Sequence, residues 1–583
     1  MMARRTLCGL LAVLAALALA GCASIPTSGS VMSASLPATG NETVYIEADG
    51  PTQDASPLDI ARGFIRAQAV GVYDDYRVAK EFLTSARAQS WDPGTETIVY
   101  TGEPAFSALG PDGTPADTTA SGAAAEYVDV SGPIALAARV DSTGQFAEES
   151  ADAEQVVSMR MVREDGQWRI STSPEGTLIS MPNFTSTHRR VALQFLSPDR
   201  TYLVPDVRWY PVKNLAGYVA EGLLAGPAQW LQDAVATAIP PKTALNVAGS
   251  VQIDADGQVA IDLDQTILAL DATARAEMMA QFAETLYQVP QVRSVRIMSG
   301  ATDLTVSPAT LMRDPTAGVS VSLVKDGRLG SIRDGGFHAD DAFGAITVGK
   351  VTGLAVEAAD GVQRGRTAIV RVGAGALYQI RAAGVAAGAT PLLKAKTVSN
   401  PSIDRHGWVW TAANGKIVAI SQAGTVRPAA RWLEGRSVLA VRVSRDGARV
   451  AIVSRSAQDS AEASRVDIAA VVRDDGGAPS QLVQGIVAGG GIAGAEDVTW
   501  IGEATVAVLS DGAASSDATV FEAPLGDANQ AQPAVGQAKA LAGDWDIRSL
   551  YVLRTDGVLM SRSATGASWR QAATGIAAVA YPG

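Results

Sequence analysis

The residue with the best-defined chemistry is Cys22, the last residue of the motif Leu-Ala-Gly-Cys. Its thiol is a nucleophile that can take up a diacylglyceryl group before cleavage makes it the new N-terminus. The preceding segment fits this chemistry, because Arg4 and Arg5 are followed by roughly fourteen apolar residues over 7–20. The sequence therefore predicts a lipoprotein signal peptide over residues 1–21 and an N-palmitoyl, S-diacylglycerol cysteine at Cys22.

The predicted attachment to the membrane is the lipid alone. The apolar run is too short to cross a bilayer, and the other cysteine of the chain, Cys8, leaves with the signal peptide. The mature chain then carries one cysteine and cannot form an internal disulfide. We expect a protein held at the extracytoplasmic face of the cell membrane. The alternative is an ordinary cleavage site beside an incidental cysteine.

Other residues with chemical potential are sparse. The chain has three histidines and no G-x-S-x-G motif. His188 is expected in an interdomain linker and His406 in a turn, which leaves His338, Asp340 and Asp341 as the cluster that resembles a metal site. The glycines beside this cluster favour a solvated loop. We therefore predict no catalytic residue, no metal site and no enzymatic activity.

Two glycine-rich motifs come close to phosphate-binding loops. Residues 344–350 have Walker spacing, but Val351 replaces the Ser or Thr that would bind magnesium. Residues 489–494 match G-x-G-x-x-G, yet a strand-forming run over 498–501 follows where a helix is needed. We predict two ordinary loops and no bound cofactor.

Acidic residues surround a predicted hairpin and could hold calcium or act as paired carboxylates. They are Asp254, Asp256, Asp262 and Asp264. Because side chains alternate along a strand, Asp262 and Asp264 are expected to point outward. The prediction is that they keep the surface soluble.

Charge and length exclude several functions. The net charge of −13 at pH 7 argues against a nucleic-acid partner. It also argues against broad electrostatic docking to anionic lipid, which needs clusters of Lys and Arg. At 583 residues the chain exceeds a single hydrophobic core, so about three domains are expected.

The first two segments after the signal peptide are a tether and an α+β domain. Residues 22–56 are rich in Ser, Thr, Pro and Gly and predict a lipidated flexible tether with a root-mean-square reach of about 30 Å. In residues 57–180, Ser56 is expected to cap a first helix and a second helix is predicted over about 74–89. Alternating apolar residues then predict antiparallel strands at 97–101, 125–130, 134–140 and 156–162. This order resembles the cystatin-like cone of the nuclear-transport-factor-two superfamily, with Trp168 in its core.

Residues 190–300 follow as an α/β domain. Asn214 is expected to cap its first helix and Asp271 its second. Between them, segments 251–253 and 259–263 are predicted to pair as a hairpin. Several runs in this domain resemble the GerMN module of sporulation and germination proteins: Tyr202–Asp206, Leu223–Pro227, Ala238–Pro240 and Thr285–Val292.

The rest of the chain, residues 319–583, reads as an all-β domain. Short strands alternate with Gly and Asp turns at intervals of roughly 40 residues, which predicts a propeller of about five or six blades. A pair of β-sandwiches is the alternative. The final strand over 577–581 is predicted to complete a blade begun near Ser320, which would remove exposed strand edges. The tryptophans are expected mainly in the core: Trp408, Trp410 and Trp500.

Signal peptide, cone, GerMN module and propeller in this order resemble the LpqB family of actinobacterial lipoproteins over nearly the whole chain. The resemblance implies an accessory of the MtrA-MtrB two-component system, which contacts the extracytoplasmic part of the sensor kinase MtrB and influences phosphorylation of the regulator MtrA. Cell-envelope homeostasis and division would be its setting. The alternative is a surface lipoprotein that binds the cell wall or a glycan through aromatic side chains.

Overall fold

The computed structural model describes residues 48–582 apart from the following segments: 117–125, 151, 316–319, 334, 358–366, 382, 459–463, 512–516, 564–565 and 567. The predicted signal peptide, Cys22 and the tether up to residue 47 lie outside the described residues. From Ala48 onward the chain forms one compact unit. We call its parts the N-terminal domain (48–187), the middle domain (188–312) and the propeller (320–582). Among the described residues, no helix is both long enough and apolar enough to span a bilayer.

The N-terminal domain begins with three helices, α1 (Pro57–Asp74), α2 (Arg77–Glu81) and α3 (Ser85–Ser90). α1 starts as predicted, because the Ser56 hydroxyl accepts a hydrogen bond from the Asp59 N–H at 3.2 Å. The single second helix predicted over 74–89 is wrong. Between α2 and α3 the Thr84 N–H donates to the Ile170 carbonyl at 2.9 Å, so a bond to the sheet edge replaces a helical turn.

These helices pack on a sheet of order β6-β5-β3-β1-β7, with β2 and β4 also paired to β3. The strands are β1 (Glu96–Thr101), β2 (Ser107–Leu109), β3 (Val128–Asp141), β4 (Phe146–Glu148), β5 (Glu154–Glu164), β6 (Gln167–Thr172) and β7 (Thr177–Ser180). The two strands predicted over 125–130 and 134–140 are one continuous strand, β3. The sheet is also not purely antiparallel, because β7 pairs parallel to β1. A short helix, α4 (Met181–Thr187), then leads into the middle domain.

The middle domain places two helices against a strand pair and a small sheet. Its elements are β8 (His188–Leu196), β9 (Leu203–Pro211), α5 (Leu215–Ala225), β10 (Gln258–Asp262), a 3₁₀ turn (Gln265–Ala269), α6 (Ala272–Leu286), β11 (Ser294–Ser299) and β12 (Thr302–Asp303). β8 and β9 form an antiparallel ribbon, and β10 runs parallel to β11. The core between them contains Phe195, Val219 and Phe282, all fully buried.

Two local predictions for the middle domain need correction. Asn214 stands at the N-cap of α5, but its φ of 57° is left-handed and its side chain makes no capping hydrogen bond. The hairpin predicted from 251–253 and 259–263 is reduced to a single bridge between Ile253 and Val259, and the main partner of β10 is β11. Asp271 does cap α6, accepting from the Ala274 N–H at 2.8 Å.

The propeller has six blades, in agreement with the predicted five or six. Blade 1 holds β13 (Ser322–Lys325), β14 (Arg328–Arg333), β15 (Gly336–Ala339) and β37 (Ile576–Ala580). Blade 2 holds β16 (Val351–Val356), β17 (Ala368–Val372), β18 (Ala376–Ile380) and β19 (Leu393–Lys394). Blade 3 holds β20 (Ser402–Ile403), β21 (Val409–Ala413), β22 (Lys416–Ser421) and β23 (Gly424–Val426).

Blades 4 to 6 repeat the pattern. Blade 4 holds β24 (Arg436–Val443), β25 (Arg449–Ser456), β26 (Arg465–Arg473) and β27 (Pro479–Ala488). Blade 5 holds β28 (Ala495–Trp500), β29 (Thr505–Ser510), β30 (Asp517–Pro524), β31 (Gln530–Ala531) and β32 (Val535–Gly536). Blade 6 holds β33 (Ala538–Ala542), β34 (Tyr551–Arg554), β35 (Leu559–Arg562) and β36 (Trp569–Ala573). Short 3₁₀ turns lie at Arg431–Leu433 and Ile547–Ser549.

The ring closes by strand pairing, as the sequence predicts. β37 pairs with β13, with Val579 opposite Leu323, so the last strand of the chain is the inner strand of blade 1. The six inner strands β37, β16, β20, β24, β28 and β33 adjoin one another around the axis. Middle strands such as β25 read as continuous apolar runs because each blade is packed on both faces.

Candidate interaction surfaces

The middle domain covers one face of the propeller, which we call the closed face. This face consists of the turns between the first and second strands of blades 3 to 6, at 404–408, 444–448, 501–504 and 543–550. The Arg405 guanidinium binds both carboxylate oxygens of Asp199, each at 2.8 Å. It also lies 4.4 Å from the centre of the Tyr202 ring. Burial raises the pKa of Asp199, but hydrogen bonds from Arg405 and Ser197 outweigh it and hold this pKa well below its ordinary range.

A second set of ion pairs lies deeper in the closed face. Arg445 is almost completely buried and binds the carboxylates of Asp314 and Asp544, each at 2.9 Å. Fully buried Arg449 donates to the backbone carbonyl of Glu503 at 2.6 Å. Asp314 belongs to the segment that leads from the middle domain into the propeller. Arg445 therefore fixes this segment to blades 4 and 6.

The N-terminal domain is also attached to both neighbours. The Glu148 carboxylate accepts hydrogen bonds from the Gly490 N–H at 2.8 Å and from the Asn529 side chain at 2.9 Å. Burial at this contact raises the pKa of Glu148 despite these donors. Arg208 of the middle domain donates to the Thr143 carbonyl at 2.9 Å. Specific polar contacts thus hold all three domains in one arrangement.

A cleft of about 610 Å³ opens between the N-terminal domain and blade 4. It is lined by residues 95–96, Arg139, Asp141 and 145–148 on one side and by residues 485–487 on the other. Its polar wall contains the Arg139–Glu96 ion pair, at 3.1 Å. Its apolar wall includes Val487, which remains 38% exposed on the outer strand of blade 4. The size suits a peptide segment or a drug-sized ligand.

The central channel of the propeller offers less room. The space between the inner strands is about 50 Å³, enough for only one or two waters. Arg442 in its wall is paired with Asp497 at 3.1 Å. The Trp500 indole N–H donates to the Arg442 carbonyl at 3.0 Å. The polar groups of Arg442, Asp497 and Trp500 in the channel wall are therefore already bonded to one another.

The structure separates the three histidines and changes the interpretation of one. His338 is exposed on the outer strand of blade 1, and Asp341 beside it pairs with Arg328 at 3.5 Å. Within the described ranges, no group of three or more metal-ligating side chains occurs. His406 lies in a turn of the closed face. His188 was expected in an interdomain linker and does lie at the junction of the N-terminal and middle domains, but it is the first residue of β8 and is buried, with its ring centre 4.7 Å from that of Phe184.

His188 gives the fold a defined pH dependence. Burial lowers its pKa to about 4 from an ordinary value of 6.5. Between these values the unfolded chain binds more protons than the folded one, so stability falls as the pH drops from 6.5 towards 4. We expect urea unfolding to show about 2 kcal/mol less stability at pH 5 than at pH 7 from this residue alone.

The comparison that isolates this effect uses His188→Gln and His338→Gln. The first variant is expected to lose about 2 kcal/mol of the pH 7 to pH 5 difference, whereas the second should keep the wild-type difference because His338 is exposed. The same pH dependence in all three proteins would contradict the assignment.

The glycine-rich motifs are loops, as predicted. Residues 344–350 form a connection in which Ile346 bridges to Val385, and β16 follows. Residues 489–494 turn into the strand β28. Neither motif is followed by a helix, so neither provides the helix N-terminus that binds phosphate.

The acidic residues of the predicted hairpin serve the local fold. Asp254 accepts from the backbone N–H groups of Asp256 and Gln258 at 2.9 and 2.8 Å. Asp262 accepts from the Asn246 side chain at 2.8 Å. Asp264 accepts from the Ala244 N–H at 3.0 Å. Asp254, Asp262 and Asp264 thus each accept hydrogen bonds from their own domain.

The tryptophans considered as glycan platforms mostly lie in the core. Trp410 is fully buried and its indole N–H donates to Asp404 at 2.8 Å. Trp500 and Trp168 are also buried, and Trp408 is half-buried. The three buried rings do not present the open face that sugar stacking needs.

Sequence reasoning missed the arginines of the closed face. Arg405 and Arg445 occur in Asp-Arg-His-Gly and Ser-Arg-Asp-Gly turns, which were recognisable only as hairpin turns. Their carboxylate partners are far away in sequence: Asp199 is separated from Arg405 by 206 positions. One sequence signal could have identified them. Each arginine lies inside a tight turn, so no residue opposite it in a neighbouring strand can pair with it.

Comparison with protein families assigns most of the chain. Residues 50–185 match the model "Lipoprotein LpqB, N-terminal domain". Residues 192–303 match the model "Sporulation and spore germination". Residues 344–582 match the model "Lipoprotein LpqB beta-propeller domain".

Similar proteins of other bacteria support the same assignment. Lipoprotein LpqB of Cutibacterium acnes is 26% identical over 611 aligned positions, covering 97% of this chain and 97% of that one. Lipoprotein LpqB of Bifidobacterium longum is 27% identical and covers 73% of this chain and 72% of that one. Among solved structures, the tandem GerMN domains of GerM from Bacillus subtilis align with a TM-score of 0.16 at 13% identity, covering 25% of this chain and 58% of that one. A TM-score this low does not establish a shared fold. The three family matches and the near full-length relatives show that the chain belongs to the LpqB family of lipoproteins.

Proposed function

We propose that this lipoprotein is an extracytoplasmic binding accessory of a sensor histidine kinase of the MtrB type, anchored to the cell membrane through acylated Cys22. By contact with the kinase it influences phosphorylation of the response regulator, in cell-envelope homeostasis and division. The observation that carries the proposal is a fixed three-domain unit with an open interdomain cleft. Such a unit can recognise a partner without catalysing a reaction.

The charged residues described above hold the fold together, which supports a binding role over an enzymatic one. In the closed face, Arg405, Arg445 and Asp544 are tied into ion pairs between turns and domains. In the middle domain, Asp254 and Asp264 bind backbone N–H groups. Charged groups that hold the fold in this way are not free to act as acid, base or nucleophile. We therefore propose that the protein is not an enzyme.

The cleft between the N-terminal domain and blade 4 is the docking surface that we propose for the kinase. β4 and β27, which line it, are outer strands of their sheets, and such strands have backbone groups available for a bound segment. Val487 adds an exposed apolar contact beside the Arg139–Glu96 pair. This combination of an apolar centre with a polar rim is typical of protein interfaces.

Membrane anchoring supports such a contact even when it is weak. Two proteins attached to one bilayer meet at an effective concentration far above that of free diffusion. A tether with a reach of about 30 Å lets the folded unit search for its partner near the membrane. Modest affinity is then sufficient for signalling.

A capture experiment with the full-length protein in detergent tests this proposal. Immobilised wild-type protein is expected to retain the extracytoplasmic domain of the kinase, and Val487→Asp to bind it at least about tenfold more weakly, since a carboxylate in an apolar contact loses about 1.4 kcal/mol or more. The matched control is Val156→Asp, because Val156 is a 69% exposed valine on the N-terminal domain outside the cleft.

The control is expected to bind within about twofold of the wild type. Thermal unfolding of both variants shows that each is folded. Equal capture by the wild type and Val487→Asp would place the contact elsewhere. Retention of cell-wall glycan fragments with no retention of the kinase domain would favour a wall-binding function.

A further inference from the structure

The lysines of the propeller all lie on the face opposite the middle domain. Strand direction alternates within a blade, so the turns between second and third strands share a face with the segments that lead to the next blade. Hydrogen bonds join these two sets around the rim, for example Gly373 N–H to the Lys350 carbonyl at 3.0 Å and Asn414 N–H to the Thr397 carbonyl at 2.9 Å. We call this surface the lysine face. Its lysines are Lys325, Lys350, Lys394, Lys396, Lys416 and Lys539.

These lysines are available to bind an external partner, although the Lys416 ammonium also donates a hydrogen bond to the Arg436 carbonyl at 3.4 Å. Five of them are exposed and Lys325 is half-buried. Within the part of the chain that the structure describes, none forms an ion pair, in contrast to the paired arginines of the closed face. Burial, followed by the charges of Lys350 and Arg371, lowers the pKa of Lys539, while the charge of Asp556 acts in the opposite direction.

Acidic residues on the same face neutralise little of this charge. Asp341 and Asp556 pair with Arg328 at 3.5 Å and Arg554 at 2.9 Å, so these groups cancel. The Asp340 carboxylate accepts a hydrogen bond from the Ala342 N–H at 3.0 Å. Among the acidic side chains that the structure describes on this face, Asp326, Glu434, Glu496 and Asp511 remain. The last two belong to blade 5, away from the lysines.

The lysines are spread over one side of the lysine face. They belong to blades 6, 1, 2 and 3, whose turns between second and third strands are short and centred on Asp556, Asp326, Ala374 and Asn414. The corresponding connections in blades 4 and 5, at 457–464 and 511–516, are longer and contain no lysine. An array of separated point charges suits an extended polyanion better than a compact ligand.

The composition of the lysine face argues against a protein partner there. Protein interfaces are enriched in aromatic residues, Met and Arg and depleted in Lys. Among the described residues, the exposed large hydrophobic side chains all lie elsewhere: Val156, Tyr218, Val247, Leu268, Tyr287, Met312, Val487 and Trp545. The face therefore lacks the anchors on which protein affinity depends.

We propose that the lysine face binds an anionic polymer of the cell envelope with a phosphodiester backbone. Lysine ammonium groups bind phosphate as point charges and need no planar carboxylate geometry. A chain with a net charge of −13 repels polyanions over the rest of its surface, which directs the polymer to this face. The contact is independent of the kinase contact in the cleft.

Binding of poly(glycerol phosphate) to the full-length protein in detergent tests the proposal. We expect affinity that falls steeply with added salt, as for other polyphosphate ligands. The triple variant Lys394→Glu, Lys396→Glu, Lys416→Glu is expected to bind at least about tenfold more weakly. The matched control reverses three exposed charges outside the propeller, Arg62→Glu, Arg66→Glu and Lys242→Glu, and should stay within about threefold.

Replacing the same three lysines by Gln gives a variant with less repulsion, which is expected to lose affinity to a smaller extent than the Glu variant. Equal losses in the propeller and control variants would overturn the proposal, because net charge alone would then explain binding. Stronger binding to anionic phospholipid vesicles or to polyglutamate than to the phosphate polymer would also overturn it. Kinase capture by the triple variant should remain at the wild-type level.

Discussion

Replacing Arg445 by Met in the full-length protein is expected to lower the free energy of unfolding by about 3–5 kcal/mol, the usual effect of removing one partner of a buried ion pair. Arg445 is 9% exposed and its partner Asp544 is 3% exposed. The substitution leaves the carboxylates of Asp544 and Asp314 without their cation where water barely reaches. Met fills a similar volume, so a cavity contributes little. Urea unfolding followed by tryptophan fluorescence measures the loss, with Trp545 directly beside Asp544.

The matched control is Arg548→Met in the same turn region. Arg548 pairs with Asp546 at 2.9 Å but is 68% exposed, so its replacement should change stability by less than about 1 kcal/mol. Adding Asp544→Asn to the Arg445→Met variant removes one stranded charge and is expected to restore part of the stability. Similar losses in Arg445→Met and Arg548→Met would contradict the role assigned to the closed face.

Replacing Cys22 by Ala is expected to move nearly all of the protein from the membrane fraction to the soluble fraction. The anchor is hydrophobic, with each buried CH₂ of an acyl chain contributing about 0.8 kcal/mol, so loss of the acylated thiol removes almost all of the membrane affinity. Fractionation of cells followed by immunoblotting measures the distribution.

Cys8 provides the control for this experiment. It lies in the predicted signal peptide, so Cys8→Ala should leave the mature protein unchanged and bound to the membrane. Cys22→Ala protein that stays in the membrane fraction would show that another segment anchors the chain. Mass spectrometry of the wild-type N-terminal peptide should find the mass of an acylated cysteine.

Local signals in the sequence predicted much of the fold. Ser56 and Asp271 cap helices at the expected positions because an N-cap depends on residues within one turn. The last strand was expected to close the propeller, and it does so by pairing with β13. Closure follows from the general need to remove exposed strand edges.

The predictions that were wrong concern features that depend on contacts between segments far apart in sequence. The helix predicted over 74–89 is interrupted because Thr84 bonds to Ile170 of β6. Segment 251–253 contributes one bridge to β10, whose main partner is the more distant strand β11. His188 is buried because Phe184 packs on it at the domain junction. No pattern within a short window contains these partners.

The distribution of charge over the surface could not be predicted from the sequence for a related reason. Net charge −13 indicated an acidic protein and argued against broad electrostatic docking to anionic lipid. The six lysines of the propeller span more than two hundred positions, from Lys325 to Lys539, and only the ring of blades brings them to one face. Arg405 and Arg445 of the same domain lie on the opposite face, where they bind carboxylates.

The central claim is that membrane anchoring lets this protein regulate a sensor kinase. The most direct measurement is the phosphorylated fraction of the response regulator in cells that produce wild-type, Cys8→Ala or Cys22→Ala protein at equal levels. The account predicts the wild-type fraction with Cys8→Ala, and with Cys22→Ala the fraction found in cells that lack the protein. An unchanged phosphorylated fraction with Cys22→Ala protein fully released from the membrane would contradict it.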